Sequence, residues 1–347
     1  MAAEAPELVD DAIEEVLIRC PPDDPSSLLR AALVCRGWSR VVSKPGFRRR
    51  YTERHRTDPV LGFLCNVTVG AKSAHFVPTS VSFRPARTVH HKMCVLDARH
   101  GRVLLLHDPP SSVSSINLRL VIWDPITDEH RELPAPPVTV HTWRWNAAVI
   151  CAASGCDHHL DCPHHGPVKV VVVGFYHDQM CMYSCTYSLE SGGVWSTHTA
   201  SSSPDLDCML FKLERSALVG NALHFVFLSQ TGFSRILKCD LATKDMSVIH
   251  LPRTCFAWPR IFLTTTEHGR LGFVEVGLDK LYIWSRVDGL GRDAGWYQTR
   301  VVDLKMLLPS KFISPHSSLH GAFVGFAGGV GIIFLGTELG NFLIFTP

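Results

Sequence analysis

Seven side chains able to bind a metal crowd one short stretch of this sequence, CAASGCDHHLDCPHHG, residues 151–166. Cys151, Cys156, His158, His159, Cys162, His164 and His165 offer more than the four nitrogen or sulfur donors that tetrahedral zinc takes. They do not fall into two separated pairs of ordinary finger spacing. Asp157 and Asp161 also suit a polar loop between two strands, AAVIC and VKVVVVGF. A plain hairpin loop is therefore expected, and no metal or other cofactor is assigned. A zinc-stabilised or metal-dependent β protein centred on residues 151–166 is the alternative.

Other chemistry leaves no signature. The chain lacks G-x-S-x-G, H-E-x-x-H and G-x-x-x-x-G-K-[ST], and no glycine loop joins a strand to a helix as a dinucleotide site requires. The glycines of GFAGGVG lie between strand-like segments and mark turns. Trp123-Asp124 is a single WD dipeptide and Gly192-Gly193 a single doublet, so neither sets a WD-type or kelch-type repeat. No catalytic residue is assigned.

The elements that must position any site come next. Of 347 residues, 46% are hydrophobic and 19% charged, which predicts a packed chain. A net charge of +2 gives no global case for nucleic acid or for an anionic membrane, and neither partner is expected. The start, MAAEAPELVDDAIEEV, is acidic and lacks the basic and apolar regions of a signal peptide. The longest uncharged apolar run, residues 321–337, is short and glycine-rich for a membrane span, and reads as two strands around Gly328-Gly329. An intracellular chain, cytoplasmic or nuclear, follows as the expectation. Its twelve cysteines are then reduced, buried thiols, and the sequon at Asn66 goes unglycosylated.

Residues 8–50 predict helices. Ile13, Val16, Leu17 and Cys20 make one apolar stripe. Asp11 and Glu14 have the spacing of a capping box, with acidic groups at the positive helix end. Asp24 and Pro25 suit the start of a second helix, on which Leu29, Ala32 and Leu33 share a face. Cys35, Trp38 and Val42 share a face of a third, which contains Gly37 and stops at Lys44-Pro45-Gly46. Residues 51–58 are expected to be a linker.

From residue 59 to 347 the chain reads as nearly all β. RVLLLH, LRLVIWD, VKVVVVGF, ALHFVFL, KLYIWSR and GIIFLG are strand-like runs between turn-forming residues. LVIWDPITDEHRELP aligns with ILKCDLATKDMSVIHLP, and TYSLESGGVWS and LYIWSRVDGLGRDAGWYQ are weaker copies. The anchors Trp123, Tyr187, Cys239 and Trp284 are 64, 52 and 45 residues apart, a spacing suited to four-stranded propeller blades. About five to six blades fit the length. A rolled β-sandwich is the other way to bury such sheets.

The helical segment LVDDAIEEVLIRCPPDDPSSLLRAALVCRGWSRVVSKPGFRRRY resembles the F-box. Leu8, Asp10 and Asp11, the Ile13/Val16/Leu17 stripe, Pro21-Pro22, Leu29, Leu33, Val34-Cys35 and Trp38 carry the likeness. Ser43, Pro45, Phe47 and Arg48 to Arg50 complete it. Val9 stands where the family usually has proline, and Gly37 where a longer residue is common. The rest resembles the propeller-like region that follows the F-box in many plant F-box proteins, through WDPIT, LPRT and GWYQTRVVDL. The expected build is thus α+β and multidomain, a three-helix F-box before a propeller-like domain.

The resemblance implies a non-catalytic subunit. Its F-box would dock a Skp-family adaptor, and through it a cullin ubiquitin ligase, while the β domain holds an unknown substrate protein. Leu8, Val9, Ile13, Val16, Leu17, Leu29, Leu33, Val34, Cys35 and Trp38 would form or support the docking surface. The alternative within this class is a scaffold that no longer recruits the ligase. Forty residues of short helix bury too little surface to stand alone, so a partner face suits them. On residue type alone, Cys35 fits the motif's own core better than a docking surface, and Trp38 fits either. The charges divide sharply. Residues 4–24 carry eight acidic groups and one basic, whereas residues 30–56 carry nine basic and one acidic. Steering of an acidic partner, phosphate binding by Arg48 to Arg50, and a plain solvated face are all open from the sequence.

Overall fold

Valine, isoleucine and phenylalanine dominate the runs after residue 62, and such side chains favour extended chain. In the computed structural model these runs form, among the described residues, six antiparallel sheets of three or more strands in chain order, and Ser115–Ile116 pairs with Val140–His141 as a separate two-stranded sheet. The structure describes residues 9–21, 25–55, 62–67, 73–78, 85–107, 115–116, 118–138, 140–141, 144–152, 167–176, 178–189, 192–196, 199–201, 208–211, 214–252, 260–266, 269–277, 279–287, 295–306, 323–327, 332–336 and 342–345.

The first sheet holds Gly62–Val67, Ser73–Pro78 and Val89–His91. The second holds Met93–Arg99, Arg102–His107, Arg119–Trp123 and His130–Glu132. Trp145–Cys151, Val168–Tyr176, Cys181–Ser188 and Val194–Trp195 make the third, with Thr199–Ser201 also pairing to Cys181–Ser188. In the fourth, Cys208–Phe211 and Ala217–Val219 both pair with Ala222–Ser229, followed by Ser234–Asp240 and Met246–His250. Arg260–Thr265, Leu271–Val276, Lys280–Arg286 and Trp296–Asp303 form the fifth, and Phe323–Ala327, Ile332–Gly336 and Phe342–Phe345 the sixth.

The first strands of the first four sheets lie side by side in order, that of the fifth lies against Ala217–Val219 and Ala222–Ser229 of the fourth, and that of the sixth lies beside those of the fifth and the first. The sheets thus close into a propeller, with four full blades and two three-stranded sheets meeting at the closure. Closure settles the choice between propeller and sandwich.

Burial explains why these strands read as continuous apolar runs. In Arg102–His107, Val103 and Leu105 face the seam with the first sheet, beside Phe76 and Trp123. Leu104 and Leu106 face the seam with the third, beside Trp145 and Val170. The third and fourth sheets share Phe175, Met182, Phe211, Phe225 and Phe227, and the fourth and fifth share Val226, Ile236, Ile261 and Phe273. Each such side chain stabilises the fold by about 1.5–3 kcal/mol, and radial neighbours are what make burial on both faces available.

The sequence repeat is real in three dimensions. Trp123, Tyr187, Cys239 and Trp284 all lie on the third strand of their sheets. Asp124 Oδ1 accepts from the amides of Ile126 and Thr127, at 2.8 and 3.3 Å. Asp240 Oδ1 does the same for Ala242 and Thr243, at 2.9 and 3.1 Å. Both turns pass through a left-handed residue, Asp128 or Lys244. An Asp followed by a Thr three residues on builds the same side-chain-closed turn twice.

Two polar devices tie the ring. Asn66 uses its whole amide on Val95, donating to its carbonyl at 2.9 Å and accepting from its N–H at 2.7 Å, which joins the first and second sheets. Asp97 is fully buried and paired with Arg99. Asp97 also accepts from the Val149 amide at 3.0 Å, and Arg99 donates to the Ser216 hydroxyl at 3.0 Å and to the Ser216 carbonyl. Three sheets thereby share one buried ion network.

The N-terminal part is helical, as expected, with α1 Asp10–Leu17, α2 Pro25–Val34, α3 Arg36–Ser43 and α4 Pro45–His55. The fourth helix is a correction. The expected linker over residues 51–58 begins as helix and holds Tyr51 in the core. Residues 56–58 lie outside the described set. Pro45 ends α3 and starts α4, because its missing N–H costs nothing in a first turn.

Candidate functional site

Two different surfaces arise from the helical stripes. Ile13, Leu17, Ile18, Ala31, Val41, Phe47 and Tyr51 close one buried cluster, with Leu28, Trp38 and Val42 packed against it. All of these belong to the four helices or, for Ile18, to the residue that caps α1, so the motif has its own core. Yet Val9, Val16, Leu33 and Val34 stay in water, at 69%, 59%, 85% and 65% exposure. Val9 is the extended residue just before α1, and Val16 lies in its last turn. Leu33 and Val34 sit in the last turn of α2. The helical unit thus leaves large aliphatic side chains of α2 and of the α1 segment uncovered by any described residue.

The expected docking residues therefore separate. Ile13 and Leu17 are core. Val9, Val16, Leu33 and Val34 are surface. Trp38 is half-buried and packs against the motif's own cluster. Cys35 leaves the helical face assigned to it. It is the extended residue before α3 and is exposed, which also removes it from the core. Leu8 lies outside the described residues, and of Leu29 only the backbone in α2 is described. The expected capping box is absent too. Val9 is the N-cap of α1 and makes no side-chain cap bond, so Asp10 and Asp11 act only as acidic groups in the first turn.

The divided charge turns out to be spent partly inside the motif. Lys44 meets Asp10 at 2.9 Å, and Arg50 pairs with Glu14, so the basic end of the segment is strapped onto α1. The hydrogen bond and charge of Lys44 hold the Asp10 carboxyl below the usual carboxylate range. Helix α4 completes the strap. Tyr51 Oη donates to the Cys20 carbonyl at 2.9 Å, and His55 Nε2 lies 2.8 Å from the Ile18 carbonyl. These are carbonyls just past the end of α1, which no helical partner can satisfy. The signal for α4 was present in the sequence as Phe47, Tyr51 and His55 at four-residue spacing. Their rings lie in file, with centroids 5.9 and 4.4 Å apart. Arg36, Arg40, Arg49 and Arg54 remain exposed.

Of the Cys/His loop, Cys151 ends the strand Trp145–Cys151, whereas Cys156, His158, His159, Cys162, His164 and His165 lie outside the described residues. Among the described residues no group of three His, Cys, Asp or Glu is placed to hold a metal ion, and no helix is long and apolar enough to cross a membrane.

With this geometry in hand, comparison with known families is informative. Residues 94–315 match the family described as F-box protein AT5G49610-like, beta-propeller, and residues 6–50 match the F-box domain. The propeller match alone covers more than half of the chain, which therefore belongs to that family of F-box proteins. An F-box ahead of a propeller is the build of a substrate receptor in ubiquitin ligases, and both domains suit that role rather than a catalytic one. A comparison with curated proteins finds no match. Among solved structures, the six-bladed fungal lectin of Aleuria aurantia is 10% identical over 82% of this chain and 91% of its own, with a TM-score of 0.44. TolB from Acinetobacter baumannii is 10% identical over 70% and 53%, with a TM-score of 0.38. Likenesses this distant add nothing to the reading of the site.

Proposed function

We propose that this chain is the substrate-binding subunit of a Skp–cullin–F-box ubiquitin ligase, working in the cytoplasm or nucleus. The helical motif docks a Skp-family adaptor through Val9, Val16, Leu33 and Val34, with Cys35 and Trp38 at the edge of the contact. Ile13 and Leu17 support that surface from within. The propeller holds a substrate protein, and the transfer chemistry belongs to other subunits.

One observation carries the reading. The motif completes its own core and still leaves four large aliphatic side chains open on α1 and α2. Each would yield about 1.5–3 kcal/mol if fully covered by a partner, enough to explain why a small unit keeps them. The test is co-purification of the full chain with a Skp-family adaptor. Val16→Asp with Leu33→Asp is expected to abolish capture while the melting temperature stays put. Undiminished capture by that double variant removes the assigned surface. A wild-type chain that never captures the adaptor supports a scaffold outside the ligase.

A further inference from the structure

The outermost strand of a blade has one edge with no strand beside it. Among the described residues most such strands are short: His130–Glu132, Val194–Trp195 and Met246–His250 have three, two and five residues. A short outer strand offers other chains little to pair with. The fifth sheet departs from this pattern. Its outer strand, Trp296–Asp303, has eight residues, and all but Trp296 and Val302 are exposed.

The ladder fixes which backbone groups of that strand face outward. The Val287 amide donates to the Gly295 carbonyl at 2.9 Å at one end, and the Leu304 amide to the Asp279 carbonyl at 2.8 Å at the other. Bonded and non-bonded pairs alternate along an antiparallel ladder. Counted in from both ends, the N–H and C=O groups of Trp296, Gln298, Val301 and Asp303 point away from Lys280–Arg286. No described residue bonds to them. The register slips at Thr299, whose hydroxyl donates to the Ile283 carbonyl at 3.0 Å. The bulge bends the edge, so it is no flat template for any passing strand.

Side chains add a second signal. Tyr297 and Val301, of types that favour extended chain, are 43% and 42% exposed on this edge. The charge there is basic. Across residues 279–287 and 295–306, Lys280, Arg286, Arg300 and Lys305 stand against Asp279 and Asp303. Both carboxylates are engaged: Lys305 Nζ meets Asp279 at 2.6 Å, and the Lys305 amide donates to Asp303 Oδ1 at 2.9 Å. Arg286 and Arg300 have no ion pair with a described residue.

We propose that the outer edge of the fifth sheet takes an extended, acidic segment of a protein as an added strand. The backbone of the segment pairs with Trp296, Gln298, Val301 and Asp303, its carboxylates meet Arg300 and Arg286, and its apolar side chains lie beside Tyr297 and Val301. A second copy of this chain suits the edge less well. Two such strands paired antiparallel about their centre bring Arg300 of one beside Arg300 of the other, and like charges so placed are unfavourable. The inference rests on the reading of the β domain as the substrate-holding part.

The test pans a random dodecapeptide phage library against the full-length chain and then titrates labelled synthetic peptides of the selected consensus. The expected consensus alternates β-branched or aromatic residues with aspartate or glutamate. Methylating the amide nitrogens of alternate peptide residues blocks one edge of the peptide. One of the two alternating sets should weaken binding about tenfold or more, and the other should leave it unchanged. Arg300→Glu should weaken binding about threefold to tenfold and turn the selection toward lysine and arginine. Val301→Pro removes an outward N–H that serves no bond in the sheet, so it should abolish binding and keep the melting temperature. If that variant does not fold, the methylated peptides decide alone. A selection without binders, a consensus without acidic residues, equal binding by both methylated sets, or equal binding by Arg300→Glu overturns the proposal. So does self-association of the wild-type chain in sedimentation that Val301→Pro abolishes, or binding to anionic vesicles in place of peptides. Adaptor capture is measured in parallel. Peptide binding without adaptor capture sinks the ligase reading and leaves this edge standing, and the converse sinks only the edge.

Discussion

The indole of Trp296 donates to the carbonyl of His250 at 2.8 Å, joining the outer strand of the fifth sheet to that of the fourth. Trp195 makes the same bond to Pro134, also at 2.8 Å, joining the third sheet to the second. His250 directly precedes Leu251-Pro252, and Pro134 closes Leu133-Pro134, so each Leu-Pro ending of a repeat is received by a tryptophan of the next blade. Both indoles also pack against the seam clusters that hold those leucines. The outer rim of the ring is thereby latched twice with one device.

Replacing Trp296 by phenylalanine removes the donor and keeps most of the packing. The carbonyl is near solvent and finds water, so the loss should be that of one ordinary hydrogen bond, about 0.5–1.5 kcal/mol. Trp296→Ala also removes the ring from Phe273, 4.7 Å away between centroids, and should cost clearly more. Urea unfolding of the two variants gives the order. Equal losses would mean that the hydrogen bond, not the ring, holds the seam.

Asp97 predicts a larger effect. Burial lowers the Arg99 guanidinium to about 10, chiefly through lost solvation, and the Asp97 carboxylate opposes that shift. Asp97→Asn leaves Arg99 charged, buried and without its counter-ion. Breaking one side of such a pair costs about 3–5 kcal/mol. A folded Asp97→Asn chain with a melting temperature near wild type would show that Ser216 alone suffices for Arg99.

Much of this was legible in the sequence, for physical reasons that differ by element. The four anchors could be aligned because each lies toward the end of the third strand of its sheet and packs into a seam cluster there. The Asp124 and Asp240 turns could be aligned because one carboxylate oxygen must close each. Helix α4 was missed because Arg48, Arg49 and Arg50 hide the Phe47/Tyr51/His55 face among charges, and its partners lie 31 to 37 residues away, on α1 and just past its end. Cys35 was misplaced because spacing cannot show that a helix starts one residue later. Which aliphatic residues of α1 and α2 face water depends on how the helices pack, and composition is silent on that. The bulge at Met209, where the register of Cys208–Phe211 slips, has no signature at all in a run of apolar residues.

Two buried histidines predict acid sensitivity. Burial pushes His90 down to about 4, with the neighbouring His130, Arg87 and His75 adding to the shift and Asp128 opposing it. Burial likewise lowers His224 to about 4, helped by Lys238 and Arg286 and opposed by bonds to the Ala217 and Ala222 backbone. Both stay neutral in the fold while the unfolded chain takes up protons from about 6.5 downward. Unfolding therefore binds protons, and stability should fall as pH drops from 6.5 toward 4, by up to about 1.4 kcal/mol per pH unit for each histidine. Urea midpoints across that window check it. His90→Phe should flatten the slope, and a slope unchanged in that variant would exclude His90 as a source.

Gly37 offers a change in the other direction. It lies in the first turn of α3, and a methyl group added there would meet only Cys35 Sγ, at an ordinary 3.6 Å. Nothing in the packing demands glycine, which is less favourable than alanine in a helix by about 0.8–1.0 kcal/mol in an interior position and by less near an end. Gly37→Ala also reduces the freedom of the unfolded chain. The variant should therefore slow amide exchange in α3 and raise the stability of the helical motif by about 0.5 kcal/mol. Adaptor capture should be kept, because Trp38 and Val41 stay where they pack. Faster exchange in α3 would mean that the added methyl strains the helix, whereas slower exchange with lost capture would mean that the glycine lets a docked partner approach closely.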